Sequence, residues 1–233
     1  MIEDLDFETY LYISKDKFQI FVLNKKKLKN LYSQDLKIDH QFDFKDLNIL
    51  LNFLDKNIYK IEKLIGNFIK NIILIVENEK NLKINMGIKK SYETSLNQKS
   101  FSSNLTELKD LFKKNYQDQT IMHMCIINYI IDGKRYSSFD TKLINDYFCI
   151  EVSFIAIDNK LVFAFDNVLE KYQIKIKQYM CGNYINNFIG DTGDEISIIA
   201  NKLRNGLNIN EITIVPKHKE NKGFFEKFFQ LFS

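Results

Sequence analysis

An α+β or α/β fold is predicted by three features of this chain. Short apolar runs are rich in β-branched and aromatic residues, longer segments repeat leucine and isoleucine every three or four positions, and the two kinds alternate along the sequence. The 233 residues suffice for one large domain or two small ones, and 45% apolar content is ordinary for a protein with a real core.

Residues 9–13 and 18–23 are apolar, aromatic-rich runs joined by Ser14, Lys15, Asp16 and Lys17, which predicts a β-hairpin. Lys25, Lys26, Lys27 and Lys29 read as a solvated turn in preference to a binding patch. Asp43 and Asp46 are candidate caps for a helix in which Leu47, Leu50, Leu51, Leu54, Ile58, Ile61, Leu64 and Ile65 share one face, and Gly66 ends it. This should be the longest helix. The β-branched run 69–76 predicts a buried strand, and the alternation over 82–86 predicts a partner strand for it.

Asn104 is the expected cap of a helix carrying Leu105, Leu108, Leu111 and Phe112. Residues 121–131 and 147–157 read as strands, with Asp132-Gly133-Lys134-Arg135 as a hairpin turn between them. Leu161, Phe163, Ala164, Val168 and Leu169 predict a helix, and 174–180 a strand. After Gly182 the strand signal fades. A helix bearing Ile196, Ile199, Ala200 and Leu203 should run from near Asp194 to Gly206, followed by a brief extended piece at 212–215.

Charge and cysteine usage narrow the function classes. The net charge is only +3, and Arg135 and Arg204 are the only arginines, which is poor material for nucleic-acid recognition. Cys125, Cys149 and Cys181 are odd in number and widely spaced, so reduced core cysteines are expected in place of a disulfide framework or zinc site. The acidic start Met1-Ile2-Glu3-Asp4-Leu5-Asp6 carries no apolar signal core, which predicts a cytoplasmic protein. Apolar runs are too short to span a bilayer, so membrane contact should be peripheral.

Residues 223–233 are the most informative stretch for function. Phe224, Phe225, Phe228, Phe229, Leu231 and Phe232 fill an arc of roughly 160° at helical spacing, with Glu226, Lys227 and Gln230 opposite. Such a helix suits the membrane interface. The polar run 217–222 after Pro216 reads as a linker, which favours a tether over a helix docked on its own domain.

The segment 121–133 resembles a strand of the bacterial cell-division family FtsA, which reads hydrophobic-x-His-x-x-x-x-x-Tyr-x-x-Asp-Gly. His123, Tyr129, Asp132 and Gly133 take the matching positions. The order of elements over residues 8–185 and the aromatic tail also resemble that family. The resemblance implies an α+β, reduced actin-like domain with an inserted subdomain of the strand-helix-strand-strand (SHS2) type and mixed sheets flanked by helices. It implies a partial actin-like first half at 1–68, the inserted subdomain near 69–158, the remainder of the first half at 159–206, a linker at 207–222 and the membrane helix at 223–233.

Departures from the family matter as much. Its nucleotide hairpin carries Asp-x-Gly, where glycine lets backbone amides approach phosphate. Here Tyr12 stands for the acid and Ser14 for the glycine. The chain is shorter than the family, and the part it lacks would include the second actin-like half and the FtsZ-binding subdomain, so contact with FtsZ stays open.

Remaining motifs have plain structural readings. Asp191-Thr192-Gly193 reads as a polar turn capping the next helix, in preference to an aspartic-protease half-site or a phosphate loop. His123 has no carboxylate or cysteine at a metal or nucleophile spacing and reads as structural, while His40 and His218 lie in polar segments. No catalytic, cofactor or metal residues are assigned. The sequence thus predicts an FtsA-like peripheral adaptor without nucleotide hydrolysis. It would sit at the cytoplasmic leaflet of the inner membrane, at the division site, and contact division proteins or further copies of itself. The alternative is a soluble adaptor whose aromatic helix enters a groove on a partner.

Overall fold

The computed structural model describes residues 6–39, 42–44, 46–91, 98–136, 147–190 and 193–212, the side chains of 98–100 excepted. The fold is mixed α+β, with two sheets flanked by helices. The first sheet has five strands in the order β3-β2-β1-β4-β9, and the second has four in the order β5-β8-β6-β7.

The predicted hairpin is β1 (Phe7–Ile13) and β2 (Lys17–Asn24), paired antiparallel from Phe7 opposite Asn24 to Ile13 opposite Phe18. Both strands are nearly continuous in apolar residues because helices cover both faces of the sheet. β3 (Lys29–Lys37) pairs antiparallel with β2 and was not foreseen. It is a polar edge strand, and its alternation carries only Leu31, Tyr32 and Leu36 as large apolar side chains, so Lys29 opens a strand and only Lys25 to Lys27 lie in the turn. Charge along a free edge discourages pairing with other chains.

Helix α1 (Asn48–Ile65) buries Leu50, Phe53, Leu54, Ile58 and Ile61 and stops at Gly66, whose φ of 68° is left-handed. The cap position is Leu47, which has no capping side chain, and Asp46 stands one residue earlier, its carboxylate accepting the Asn48 amide at 3.0 Å. β4 (Asn71–Val76) and β9 (Lys175–Cys181) continue the first sheet in parallel beyond β1. α1 and α3 (Asn159–Glu170) cover one face. The other is covered by α4 (Gly182–Asn186) and α5 (Ile196–Arg204) through Ile185, Ile196, Ile199, Ala200 and Leu203. The five-residue α4 is too short to leave a helical period in the sequence, and was missed.

β5 (Leu82–Ser91) is not the partner of β4. It pairs antiparallel with β8 (Tyr147–Asp158) in the second sheet, where its alternation reflects one face packed and one open. β6 (Gln119–Ile131) lies on the other side of β8, and short β7 (Lys134–Tyr136) folds back on it. Helix α2 (Gln98–Asn115) packs Leu108 and Phe112 on this sheet. It begins six residues before the predicted cap and equals α1 at 18 residues. Asn104 is therefore a buried mid-helix residue; the serines before it suit a loop, but packing of the apolar face decides. Strand β4 belongs to the first sheet, while the second is built wholly from residues 82–158.

Candidate functional site

In sheets of this kind ligands bind beyond the carboxyl ends of the parallel strands. At that end of β1, β4 and β9 lies a cavity of about 300 Å³ lined by Tyr12, Asp16, Lys17, Glu77, Asn186 and Glu195, among others. Asp16 and Lys17 bring the β1–β2 turn into its lining. Ser14 closes that turn from within: its Oγ lies 2.5 Å from the Asp16 carboxylate and donates at most one hydrogen, and it accepts the amides of Asp16 at 3.4 Å and Lys17 at 3.2 Å. The Ser14 amide donates to the Lys17 carbonyl at 3.0 Å. Side-chain oxygen thus holds the two backbone donors that a phosphate-binding turn would present.

Glu77, just past β4, lines the cavity. Its Oε2 accepts the Tyr12 hydroxyl and the Asn186 amide, each at 2.6 Å. Burial first, then the hydrogen bond and charge of Glu77, hold the Tyr12 phenol well above its ordinary range, so it stays a donor. Lys17 places its ammonium 5.2 Å from the centre of the Tyr12 ring. Asp16, Glu77 and Glu195 against Lys17 give the lining an excess of negative charge. Gly182 makes this packing possible, because a Cβ there would lie 2.7 Å from the Glu77 Cβ and 3.1 Å from its Cα.

A second constellation surrounds His123. The ring is fully buried, accepts the Cys181 amide at Nε2 at 2.9 Å, and lies 2.7 Å from the Glu211 carboxylate at Nδ1. Acceptance at Nε2 assigns the proton to Nδ1, which donates to Glu211. Tyr184 donates to the other Glu211 oxygen at 2.8 Å and stacks obliquely on the imidazole at 4.2 Å. Beside this, the Ile126 amide donates to the Asn210 carbonyl and the Ile212 amide to the Met124 carbonyl. The chain just before its aromatic tail is thereby strapped to β6 and to the first sheet.

A bulge explains why His123 points this way. Ile121 pairs with Ala156 but His123 with Ile155, two positions on against one, so His123 turns off the α2 face toward the first sheet. Sequence spacing cannot show this, nor that Glu211 arrives from 88 positions away. The other motif residues serve local structure. Tyr129 is core, stacked on Phe101 at 6.2 Å, and Asp132 and Gly133, with φ of 47° and 84°, form a tight hairpin turn that is shorter than expected and leads into β7, where Lys134 and Arg135 pair with Ile131 and Ile130. The four motif residues do not converge on one site.

Among the described residues no group of three or more His, Cys, Asp or Glu is placed to hold a metal ion, and no helix is long and apolar enough to cross a membrane. Cys125, Cys149 and Cys181 are free thiols on β6, β8 and β9. Phe224, Phe225, Phe228, Phe229, Leu231 and Phe232, together with His40, His218 and the linker 217–222, lie outside the described residues.

No protein-family model matches the chain, and no curated protein matches it in sequence. Similar solved structures exist. The chain is similar to one in the PilM-PilN type IV pilus biogenesis complex, at TM-score 0.46 and 7% identity over 78% of this chain and 49% of that one. It is similar to the cytoplasmic domain of EpsL, an inner membrane component of the type II secretion system of Vibrio cholerae, at TM-score 0.32 and 9% identity, covering 76% and 56%. A Bacteroides thetaiotaomicron protein with actin-like ATPase fold and unknown function gives TM-score 0.31 and 14% identity, covering 81% and 58%. The chain therefore spans about half the length of these solved chains.

Proposed function

We propose that this chain is an actin-like, non-hydrolysing adaptor that joins the cytoplasmic face of the membrane to division proteins. The observation that carries the reading is the closed β1–β2 turn: Ser14 takes the backbone donors, and Tyr12 and Asn186 tie Glu77 across the space above it. A site of net negative lining with its amides engaged opposes a polyphosphate on both electrostatic and hydrogen-bonding grounds.

Two further features support the adaptor role. The order of elements, hairpin, long helix, strand, helix, motif strand and further strand, agrees with what the resemblance to FtsA implies. The strap holds Glu211 and Ile212 against β6, which gives a membrane helix made by Phe224, Phe225, Phe228, Phe229, Leu231 and Phe232 a fixed point on the folded body to be tethered from. One short helix binds membranes reversibly, and a second contact, to a division protein or another copy, gives lasting residence.

Imaging of the chain in dividing cells tests the reading. A mid-cell band that disperses in the Phe225→Asp/Phe228→Asp variant is the expected result. An even distribution of both forms would overturn the division role.

A further inference from the structure

The strap gives the chain a direction as well as a fixed point. Its two backbone bonds, Ile126 amide to Asn210 carbonyl and Ile212 amide to Met124 carbonyl, bracket an antiparallel bridge of Cys125 with Glu211. A chain antiparallel to β6 leaves Ile212 heading for the start of that strand, at Gln119. Gln119 lines a cavity of about 590 Å³ at the seam of the two sheets, bounded by the β1–β2 turn at Lys15, the segments 42–44 and 78–81, and the first turn of α3.

The cavity has an apolar wall that the core holds in place. Phe42 is buried, meets Phe18 edge-on at 4.7 Å and meets Phe44 at 5.1 Å, and Phe44 in turn meets Phe165 at 6.4 Å. Leu161 continues this wall from α3. The volume lies within the roughly 300–1,000 Å³ of pockets that take drug-sized groups, so an aromatic side chain enters with room to spare. Charges of both signs stand around it, Lys15, Lys80 and Lys160 with Asp43 and Asp158.

The chain itself carries a segment with these properties. Residues 223–233 hold Phe224, Phe225, Phe228, Phe229, Leu231 and Phe232 on one side and the mixed Glu226, Lys227 and Gln230 on the other. Phe224 is twelve positions on from Ile212, a reach of up to roughly 40 Å. Gln119 is five strand positions from Met124, only roughly 17 Å. A tether of this length gives the tail an effective concentration at the cavity that a separate molecule lacks.

We propose that the aromatic tail docks in this cavity, with Phe225 and Phe228 against Phe42, Phe44 and Leu161. One consequence, which rests on the membrane reading above while the docking does not, is that the docked tail is withheld from the bilayer. A membrane then draws it out by binding the released form, and the two states exchange according to the affinity of each site.

Amide hydrogen exchange of the full chain without lipid tests the docking. Lys80, Asn81 and Lys160 serve as reporters, since their amides are held only by the turn bonds to Asn78 and Asp158. Exchange at all three should be at least about fivefold faster in the Phe225→Asp/Phe228→Asp variant than in the parent, with the amides of β1 unchanged. Leu161→Glu disturbs the cavity from its other side and adds an acid to the first turn of α3, where the helix terminus favours one, so the fold is kept and the same acceleration is expected. Equal exchange in the parent and either variant would overturn the docking. With vesicles of phosphatidylglycerol and phosphatidylethanolamine that the parent binds, Leu161→Glu should bind about fivefold more tightly, and equal binding would overturn the masking. If exchange responds while no form binds vesicles, the docking is upheld and it is the membrane reading that falls.

Discussion

Nδ1 of His123 lies 2.7 Å from the carboxylate of Glu211, joining a strand in the middle of the chain to the last segment before the tail. The imidazole is wholly buried and the carboxylate mostly so. Replacing Glu211 with alanine strands the His123 N–H and frees the Tyr184 hydroxyl from its acceptor. A loss of about 2 kcal/mol in denaturant unfolding is expected. Hydrogen exchange should quicken at the amides of Ile126 and Ile212, which the strap holds. Unchanged exchange there would show that the strap does not depend on this pair.

Gly182 gives a sharper steric test. Its substitution by alanine drives a Cβ against backbone atoms of Glu77, at 3.1 Å from both N and Cα, where no flexible side-chain end can yield. A cost of about 1–3 kcal/mol follows from overpacking of this kind. Chemical denaturation of the G182A variant measures it.

The thiols should be slow. Burial, ahead of the charge of Glu211, pushes the Cys125 thiol up to about 11, so near pH 8 only about a thousandth of it is thiolate. Cys149 is also raised, by burial and by Glu151, but is partly exposed. Iodoacetamide labelling followed by mass spectrometry should find Cys149 modified first and Cys125 protected until the protein unfolds.

Acid sensitivity should trace to Glu8. Burial alone would raise its pKa, but the charge of Arg204, with hydrogen bonds from Tyr10 and Arg204 and the nearby Lys177, outweighs that and holds it below the ordinary glutamate range. A carboxylate depressed in the folded state adds stability above its unfolded pKa of about 4.3, and that stability is lost as pH falls through the folded value. Stability should therefore drop below about pH 4.3, and Glu8→Gln should flatten that part of the profile while costing about 2 kcal/mol at pH 7. Unfolding free energies across pH 2–7 check both.

What the sequence revealed, and what it hid, follow from the range of the interactions involved. The β1–β2 hairpin, α1 with its Gly66 stop, α3 and α5 announce themselves because their apolar periods and terminal glycines are local signals. β3 and α4 stayed hidden, one because an edge strand buries little, the other because five residues hold no period. Assigning Leu82 to a strand beside β4 failed for a different reason: alternation declares a strand, but which sheet accepts it is a long-range matter. The Ser14 turn was legible as a departure from Asp-x-Gly, whereas the Tyr12–Glu77–Asn186 bridge spans 65 and 109 positions and needed the fold.

Calorimetric titration of the full chain with ATP and Mg²⁺ tests the central claim most directly. The closed Ser14 turn and the Glu77 bridge predict no saturable binding up to millimolar nucleotide, and stoichiometric binding that weakens in a Lys17→Gln variant would contradict the account of this chain as a non-hydrolysing adaptor.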